Sequence, residues 1–421
     1  MVRRSTLMVI AALLGLVAAA CSSGSPKPSG QSSGNGGGTK SPITIGYITD
    51  QTGVASSTFA DSPGGAKARV ALQNAQGGVD GHPIKLISED SQSSPSTNLT
   101  AAQQLVSQGA LAIINYSSFA FGSYRYLQQQ GVPVVGSAFD GPEWGEQPNS
   151  NMFTWSAPVA PINGQYFTST IEGQFLHDIG VTKYAGLGYG ISPSSQASIY
   201  AAMTSAQHLG IKQCYLNQSV PFGAVDFTAA VLAIKSKSCN GVTGSFVDNS
   251  DIALCQSVKQ GGVTAKQLYF TGYDEDVLST AANKQAFDGC YAQAQISYTP
   301  PNGPTQAMLN TLKKYDSSYH GGIPDFGLQG AYISTDLAIK GLQLTAPDFS
   351  RSSYISHLRQ LKSYNAGGIM PSPVTMQGFA TEAMYPKTGC LYFFQLQHDH
   401  YVMYSGKPIC GTRIPYHIPG H

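Results

Sequence analysis

Residues 43–90, ITIGYITDQTGVASSTFADSPGGAKARVALQNAQGGVDGHPIKLISED, decide the fold of this chain. The β-branched and aromatic run at 43–48 predicts a buried strand. Apolar side chains on helical spacing predict a helix over 65–75. The glycine pair at 77 and 78 ends this helix, because glycine adopts left-handed dihedrals without strain. The run at 84–87 predicts a second strand, and a strand, a helix and a strand in this order require a parallel sheet.

Two glycine patterns within this stretch carry a resemblance to a known family. Gly46 to Gly53 reads G-x-x-x-x-x-T-G, and Asn74 to Gly81 reads N-x-x-G-G-x-x-G. With Asp90 after the second strand, they resemble the N-terminus of the branched-chain amino acid (Leu/Ile/Val-type) substrate-binding proteins of ABC transporters. The resemblance implies the type I periplasmic-binding-protein fold: α/β, with two doubly wound lobes, three hinge strands and a ligand cleft between the lobes. It implies a binding protein rather than an enzyme, with no cofactor.

The resemblance extends from residue 43 to the C-terminus and implies a division into two lobes. Strand and helix patterns alternate along the chain, and prolines at 158 and 161, in 298–304 and at 371–373 interrupt them. The first helix of the second lobe is expected over 164–176. The expected N-terminal lobe is 42–158 with 299–371, and the expected C-terminal lobe is 159–298 with 372–421.

The first 21 residues have the pattern of a bacterial export signal. Arg3 and Arg4 precede an apolar core at 7–20, which is too short to span a bilayer comfortably. Cys21 follows three alanines and resembles the lipidated cysteine of bacterial lipoproteins. Ordinary secretory cleavage beside an incidental cysteine is the alternative. Residues 22–41 are rich in serine and glycine and are expected to form a flexible tether. The segment predicts a protein anchored by lipid to the outer face of the cell membrane.

Six cysteines remain after Cys21, and an even number in an exported chain favours disulfides. Six cysteines allow fifteen pairings. No C-x-x-C spacing occurs, so a zinc site is not expected. We predict that sequence neighbours pair: Cys214 with Cys239, Cys255 with Cys290, and Cys390 with Cys410.

Charge and motifs argue against several other functions. The chain has 24 basic and 23 acidic residues, so no electrostatic argument supports nucleic-acid binding. It contains no G-x-S-x-G nucleophile elbow, no P-loop and no H-E-x-x-H metal motif. In a strand, Asp399 would point away from His398 and His400, so this trio predicts an exposed hairpin tip rather than a metal site.

Candidate ligand-binding residues follow from the ends of the predicted strands, where open α/β sheets bind ligands. Ser117 and Ser118 lie directly after a strand and before a helix, where hydroxyl and N–H groups suit a carboxylate. The resemblance implies that Ser117 holds the carboxylate of an amino acid, and that Ala138 and Asp140 hold its ammonium group. Asp140 replaces a threonine of the family, which is consistent with a more cationic ligand. Helix capping by the serines and turn capping by Asp140 are the alternatives.

The second lobe contributes candidates in the segment FTGYD at 270–274. The resemblance places Asp274, with Tyr273 beside it, where the family has a glutamate that neutralises the ligand's ammonium group. A buried ammonium group needs such a carboxylate because an unpaired buried charge is costly. Phe59 lies near the family position of an aromatic side chain that covers the ligand, and Asp248 ends another strand. Capping by Asp274 and surface turns at the other positions are the alternatives.

Three functions remain open at this point. The leading one is a lipid-anchored receptor, expected to be a monomer, that captures an amino-acid-like small molecule and delivers it to the permease of an ABC importer. The second is a ligand sensor of the same fold that regulates a membrane partner. The third is an exported enzyme on an α/β scaffold. Ligand-induced closure without turnover would favour the first two.

Overall fold

The computed structural model describes residues 40–418 of the chain. The export signal at 1–21, including Cys21, lies outside the described residues, as do residues 22–39 of the expected tether. Within 40–418, no helix combines the length and the apolar character needed to cross a membrane.

Strands and helices alternate along the described chain. The strands are Ile43–Thr49 (β1), Ile84–Asp90 (β2), Ala112–Tyr116 (β3), Val134–Gly136 (β4), Met152–Thr154 (β5), Tyr166–Ser169 (β6), Lys183–Tyr189 (β7), Lys212–Val220 (β8), Gly241–Ser245 (β9), Lys266–Tyr269 (β10), Tyr291–Ala294 (β11), Thr388–Gln397 (β12), His400–Met403 (β13) and Ile409–Tyr416 (β14). The α-helices are Ser56–Phe59 (α1), Ser62–Ala75 (α2), Pro95–Ser107 (α3), Tyr124–Gln129 (α4), Ile171–Asp178 (α5), Pro193–His208 (α6), Thr228–Ser236 (α7), Asp248–Gln260 (α8), Glu275–Leu278 (α9), Ala281–Phe287 (α10), Gly303–Tyr315 (α11), Phe326–Thr345 (α12) and Arg351–Leu358 (α13).

The first sheet is built around β1. Its order is β2-β1-β3-β4-β5, and every neighbouring pair is parallel. The alternating side chains of β1 face two layers, because Ile45 and Tyr47 pack in one core with α2 and α12, whereas Ile48 packs in another with α3. A Cβ atom at Gly46 would lie 2.9 Å from Leu105 Cδ1 of α3, so glycine permits this close approach of helix and strand. The parallel βαβ unit predicted from 43–90 is confirmed.

The second sheet combines a parallel part with an antiparallel part. Its order is β6-β14-β12-β11-β10-β9-β7-β8, and β13 pairs with β12. The strands from β7 to β11 are parallel to their neighbours within that group, whereas β12, β14 and β6 are antiparallel to theirs. The predicted fold class, two α/β lobes of the type I periplasmic-binding-protein fold, is confirmed.

The expected helix over 164–176 is wrong at its start. Tyr166–Ser169 forms β6, which pairs antiparallel with the end of β14, and α5 begins at Ile171. The partner strand lies at the far end of the chain, so no local pattern at 164–176 indicates the pairing.

The described chain passes between the two sheets three times, at 155–165, 295–302 and 359–387. Between the second and third passages, α11 and α12 pack on α2, and α13 packs on α12. Three connecting segments therefore join the elements of the first sheet to those of the second. The lobe boundaries at 158, 298 and 371 stay predictions.

Three disulfides join the same cysteine pairs that we predicted. Cys214 of β8 pairs with Cys239, Cys255 of α8 pairs with Cys290, and Cys390 of β12 pairs with Cys410 of β14. All three lie among the elements of the second lobe. Each disulfide joins two segments that are close in sequence. Cys390 and Cys410, for example, face each other in the pairing of β12 with β14.

Candidate functional site

A cavity of about 290 Å³ lies between the two lobes, and we call it the ligand cavity. Its first-lobe wall includes Phe59, Ser118 and Ala138, and its second-lobe wall includes Tyr273 and Asp274. These residues lie in segments that follow β1, β3, β4 and β10, because the parallel strands direct their C-terminal ends toward the space between the sheets. The structure thus brings five of the eight predicted ligand residues to one cavity.

Aromatic rings form most of the apolar wall of the ligand cavity. They are Phe59, Tyr116, Phe139, Trp155 and Phe326 from the first lobe and Tyr189, Phe222, Phe246, Phe270 and Tyr273 from the second. Phe59 stacks on Phe139 with ring centroids 5.5 Å apart, and Tyr116 meets Phe139 edge-on at 5.0 Å. Aromatic rings provide a large apolar surface of defined shape. The cavity therefore suits a ligand with an apolar or aromatic body.

Hydroxyl and amide side chains supply most of the polar atoms in this wall. They include Ser118, Ser137, Ser156, Ser194, Ser198, Ser245, Gln293, Gln295 and Gln329. The Oε1 atom of Gln293 is buried and has no hydrogen-bond partner among the described residues. Of the described residues that line the cavity, Asp274 is the only one with a carboxylate, and none is basic. A ligand carboxylate would meet hydroxyl and amide groups, whereas a ligand amine would meet Asp274.

Asp274 combines a structural contact with a carboxylate oxygen that has no partner. The residue is 1% exposed and begins α9, where Oδ1 accepts a hydrogen bond of 3.1 Å from the Val277 N–H. Oδ2 has no hydrogen-bond partner within 40–418. Burial and the nearby Asp248 carboxylate raise the pKa of Asp274 well above its usual range. A cation at Oδ2 would offset the free-energy cost of ionising this buried carboxyl group. Oδ1 caps the helix while Oδ2 stays free of hydrogen bonds within 40–418, so helix capping and ligand binding are compatible roles.

Asp50 occupies the position that the sequence assigned to a ligand carboxylate. It directly follows β1, and its Oδ2 accepts a hydrogen bond of 2.7 Å from the Ser118 N–H. Its Oδ1 accepts hydrogen bonds from the Ser117 hydroxyl, at 2.7 Å, and from the Ser91 hydroxyl. Ser117 is fully buried and does not line the ligand cavity. The expected contact of Ser117 with a ligand is therefore not supported, because the Ser117 hydroxyl already donates its hydrogen bond to the carboxylate of Asp50.

Sequence reasoning missed Asp50, although a signal was present. An acid directly after the first strand lies at the edge where parallel sheets bind ligands, and it belongs to the quoted glycine pattern. The hydroxyl of Ser118 still lines the cavity, so this serine keeps one group for a ligand.

Asp140 lies behind the wall of the ligand cavity rather than in it. It is 1% exposed, and its Oδ1 accepts a hydrogen bond of 2.6 Å from Trp144 Nε1. Its Oδ2 accepts one of 2.8 Å from the Phe121 N–H. The expected contact with a ligand ammonium group is not supported. Asp140 instead stabilises the loop after β4, which carries Ala138 to the wall.

Glu143 is a second buried acid beside Asp140. Its Oε1 is buried without a hydrogen-bond partner among the described residues. Burial and the neighbouring Asp140 raise the pKa of Glu143 well above its usual range, and burial raises the pKa of Asp140 to about 6. Ionisation of both carboxyl groups therefore lowers the free energy of unfolding, because two buried negative charges lie side by side.

We expect Glu143→Gln to stabilise the protein at neutral pH and to weaken the pH dependence of its stability. A carboxyl group whose pKa rises on folding contributes stability below its unfolded-state pKa and loses that contribution as the pH rises through its folded-state pKa. For Asp140 this window runs from about 4 to about 6, and for Glu143, whose pKa is raised well above its usual range, the loss of stability continues to higher pH. The free energy of unfolding, measured with urea, should rise as the pH falls through this window, and less steeply in Glu143→Gln. The control Glu89→Gln should retain the wild-type slope, and an unchanged slope in Glu143→Gln would contradict the prediction.

Asp248 connects the two lobes without lining the ligand cavity. Its backbone N–H donates a hydrogen bond of 3.0 Å to the hydroxyl of Thr58 in the first lobe. The residue is 1% exposed, and both carboxylate oxygens lack a hydrogen-bond partner within 40–418. The expected contact of Asp248 with a ligand in this cavity is not supported, because the residue lines a different cavity.

Metal binding has no support in the part of the chain that the structure describes. No group of three or more His, Cys, Asp or Glu side chains in 40–418 is arranged to hold a metal ion. His398, Asp399 and His400 lie where β12 turns into β13, and the side chains of Asp399 and His400 are largely exposed, 3.0 Å apart. The trio forms the hairpin tip that we predicted.

The described chain forms two α/β lobes with a cavity between them. Residues 42–400 match the family described as periplasmic binding protein, and this match covers most of the chain. The chain therefore belongs to the periplasmic binding protein family. Its members are substrate-binding proteins rather than enzymes, which excludes the exported enzyme considered above.

Individual relatives are distant in sequence and close in fold. An amino acid binding protein of Pseudomonas aeruginosa is 23% identical over 249 residues, which cover 57% of this chain and 63%, less than two thirds, of that protein. A branched-chain amino acid ABC transporter protein from Thermus thermophilus with bound valine has a TM-score of 0.72 and 14% identity, covering 88% of this chain and 97% of that one. A solute binding protein from R. palustris in complex with benzoate has a TM-score of 0.69 and 16% identity, covering 86% of this chain and 95% of that one. At such identities the solved structures establish the shared fold, and the ligand must be argued from the cavity.

Proposed function

We propose that this protein is a lipid-anchored solute receptor that captures a small amine-bearing molecule, first of all an amino acid, and delivers it to an ABC importer. The observation that carries the proposal is the buried Oδ2 of Asp274, which lacks a partner in the described structure and belongs to a residue lining the ligand cavity. An amine would pair with this carboxylate, and the aromatic walls would enclose the apolar part of the ligand. The amino acid binding protein of Pseudomonas and the valine-bound protein of Thermus support the same ligand class.

Hinge closure belongs to this proposal. Three passages of the chain join the lobes, and a few linker dihedrals can rotate two lobes about such a hinge. The rotating bodies would be residues 42–158 with 299–371 and residues 159–298 with 372–421. Closure would remove the ligand from water and strengthen its pairing with Asp274, because electrostatic attraction grows as the local dielectric constant falls.

A thermal-shift screen of the purified protein against amino acids, other amines, amides and small organic acids tests the ligand class. A tight ligand raises the melting temperature by mass action. We expect the largest rise with an amine that carries an apolar or aromatic group. A screen in which no amine raises the melting temperature would overturn the proposal. A separate experiment distinguishes import from sensing: co-purification of the protein with a permease would favour the import role.

An aromatic carboxylate is a second candidate ligand, because the raised pKa of Asp274 favours its neutral form at moderate pH. A neutral carboxyl group can donate a hydrogen bond to the carboxylate of a ligand, and the R. palustris solute binding protein is in complex with such a carboxylate, benzoate. The pH dependence of affinity distinguishes the two. Amine affinity should rise with pH as Asp274 ionises, whereas carboxylate affinity should fall over the same range. Calorimetry at several pH values gives the sign directly.

The lipid anchor is tested by Cys21→Ala. If Cys21 carries the lipid, the variant should appear in the soluble fraction, because a signal peptide that has been removed leaves no other membrane attachment in this proposal. Fractionation and immunoblotting measure the distribution. A variant that is processed normally and stays with the membrane would contradict the anchor.

A further inference from the structure

A second cavity, of about 270 Å³, lies beside the ligand cavity at the hinge, and we call it the hinge cavity. All three passages between the lobes contribute to its wall, with Pro158 from the first, Gln295 from the second and Val374 from the third. Residues of β6, β12, β14 and α6 supply further parts of the wall from the second lobe. The hinge cavity therefore lies where the chain crosses from one lobe to the other.

The hinge cavity and the ligand cavity share part of their walls. Six residues line both cavities: Trp155, Ser156, Ala157, Val159, Ser198 and Gln295. The first four belong to the passage that follows β5, and Trp155 is held in place because its Nε1 donates a hydrogen bond of 2.9 Å to the Ser334 hydroxyl. A ligand that lies along this shared wall contacts both cavities.

Most of the wall of the hinge cavity is apolar. It includes the aromatic rings of Phe167 and Tyr385 and the aliphatic side chains of Val374 and Leu391. Of the described residues that line it, none carries a carboxyl group, and Arg413 is the only one with a charge. The hinge cavity thus differs from the ligand cavity, where Asp274 provides a carboxyl group for an amine.

The positive charge of Arg413 already has partners within the protein. Its Nη2 donates a hydrogen bond of 2.8 Å to Glu382 Oε2, and its Nη1 donates bonds of 2.8 and 3.2 Å to the carbonyl oxygens of Glu382 and Tyr385. The guanidinium carbon also lies 4.8 Å from the centre of the Phe167 ring. Because the one charge in this wall is compensated, the hinge cavity suits an apolar group of a ligand.

The sizes of the two cavities favour their use as one site. Small-molecule sites usually have volumes of about 300–1,000 Å³, and the ligand cavity alone, with about 290 Å³, is at the lower limit of this range. The two cavities together fall within the range. Burial of one methylene group is worth about 0.8 kcal/mol, so each methylene group that enters the hinge cavity should tighten binding roughly fourfold.

We propose that the ligand cavity and the hinge cavity form one elongated site for an amphiphilic primary amine. Its ammonium group pairs with Asp274, and its apolar alkyl chain lies along the shared wall and ends in the hinge cavity. This ligand class rests on the proposed function, because the amine takes the partner that the proposed function assigns to Asp274. The alkyl chain adds selectivity for length, since a short amine fills the ligand cavity alone.

The test is a titration of the purified full-length protein with n-butylamine, n-hexylamine and n-octylamine, followed by calorimetry. The test variant is Ala201→Leu, because Ala201 of α6 lines the hinge cavity but not the ligand cavity. The control is Ala229→Leu, at an exposed position of α7 that lines neither cavity. Alanine and leucine both favour helices, so the two variants carry the same small cost to their helices.

In the wild type and in the control, affinity should rise from butylamine to octylamine by roughly fourfold for each added methylene group. Ala201→Leu should bind butylamine within about threefold of the wild-type affinity and octylamine at least about tenfold more weakly than the wild type. If Ala201→Leu does not fold, Gly389→Val replaces it. A Cβ atom at Gly389 of β12 would lie 3.8 Å from Ile171 Cδ1, an ordinary contact, so the added side chain narrows the hinge cavity without a clash.

Two results would overturn the elongated site and leave the amine receptor standing. One is a wild-type affinity that stops rising at butylamine, and the other is an equal affinity for octylamine in the wild type and the hinge-cavity variant. A different result, in which neither these alkylamines nor any amine of the thermal-shift screen binds, would refute the proposed function and the elongated site together.

Discussion

Asp274→Asn is expected to weaken the binding of an amine ligand by roughly a hundredfold to several-thousandfold. Asparagine keeps the shape of the side chain and an oxygen that can accept the Val277 N–H, so α9 retains its cap. What the variant loses is the one carboxyl group that the described residues place in the ligand cavity, and with it the negative charge that an amine ligand would pair with. Removing one partner of a buried ion pair costs about 3–5 kcal/mol because the other charge stays buried and unpaired. Calorimetry with the ligand found by the thermal-shift screen measures the change.

Asp348→Asn is the control for this prediction. Asp348 is an exposed carboxylate that does not line the ligand cavity. Its substitution should leave ligand affinity within about threefold of the wild-type value. The amine assignment fails if Asp274→Asn also stays within this limit. It then follows that the ligand carries no amine or binds elsewhere.

Asp50→Ala is expected to destabilise the first lobe by about 2–5 kcal/mol. The variant removes an acceptor shared by the Ser118 N–H and the hydroxyls of Ser117 and Ser91. The donors follow β2 and β3 and meet Asp50 at the end of β1, where both hydroxyl contacts are buried and the Ser118 N–H contact is partly buried. A buried donor without a partner costs about 1–3 kcal/mol. The hydroxyls can rotate toward other acceptors, whereas the Ser118 N–H cannot. Urea unfolding monitored by fluorescence measures the free energy of unfolding.

Two further variants give this measurement its scale. Asp50→Asn retains one acceptor oxygen and should lose less stability than Asp50→Ala. Asp348→Ala, at an exposed position of the first lobe, should leave the unfolding midpoint unchanged. A loss below about 1 kcal/mol in Asp50→Ala would mean that water or another group satisfies the Ser118 N–H. The network around Asp50 would then be incidental to the stability of the lobe.

The sequence by itself determined the parts of this protein that depend on local periodicity. The strand and helix pattern at 43–90 specified a parallel βαβ unit, because side-chain spacing and glycine positions act within a few residues. The three disulfides were predictable for a similar reason, since each joins cysteines of neighbouring elements. The position of Asp274 in the wall of the ligand cavity was predictable from its place after a strand of the second lobe, and its contact with a ligand stays a prediction.

The tertiary structure alone decided which groups meet. Asp50 accepts from the Ser118 N–H, and Asp140 accepts from Trp144 Nε1. A donor and an acceptor that were assigned to a ligand therefore already have partners inside the protein. The pairing of β6 with β14 joins distant parts of the chain and replaces the expected start of a helix. A carboxylate accepts from whichever donor lies within about 3 Å, and packing of the whole chain sets that distance, so no pattern within one segment reveals it.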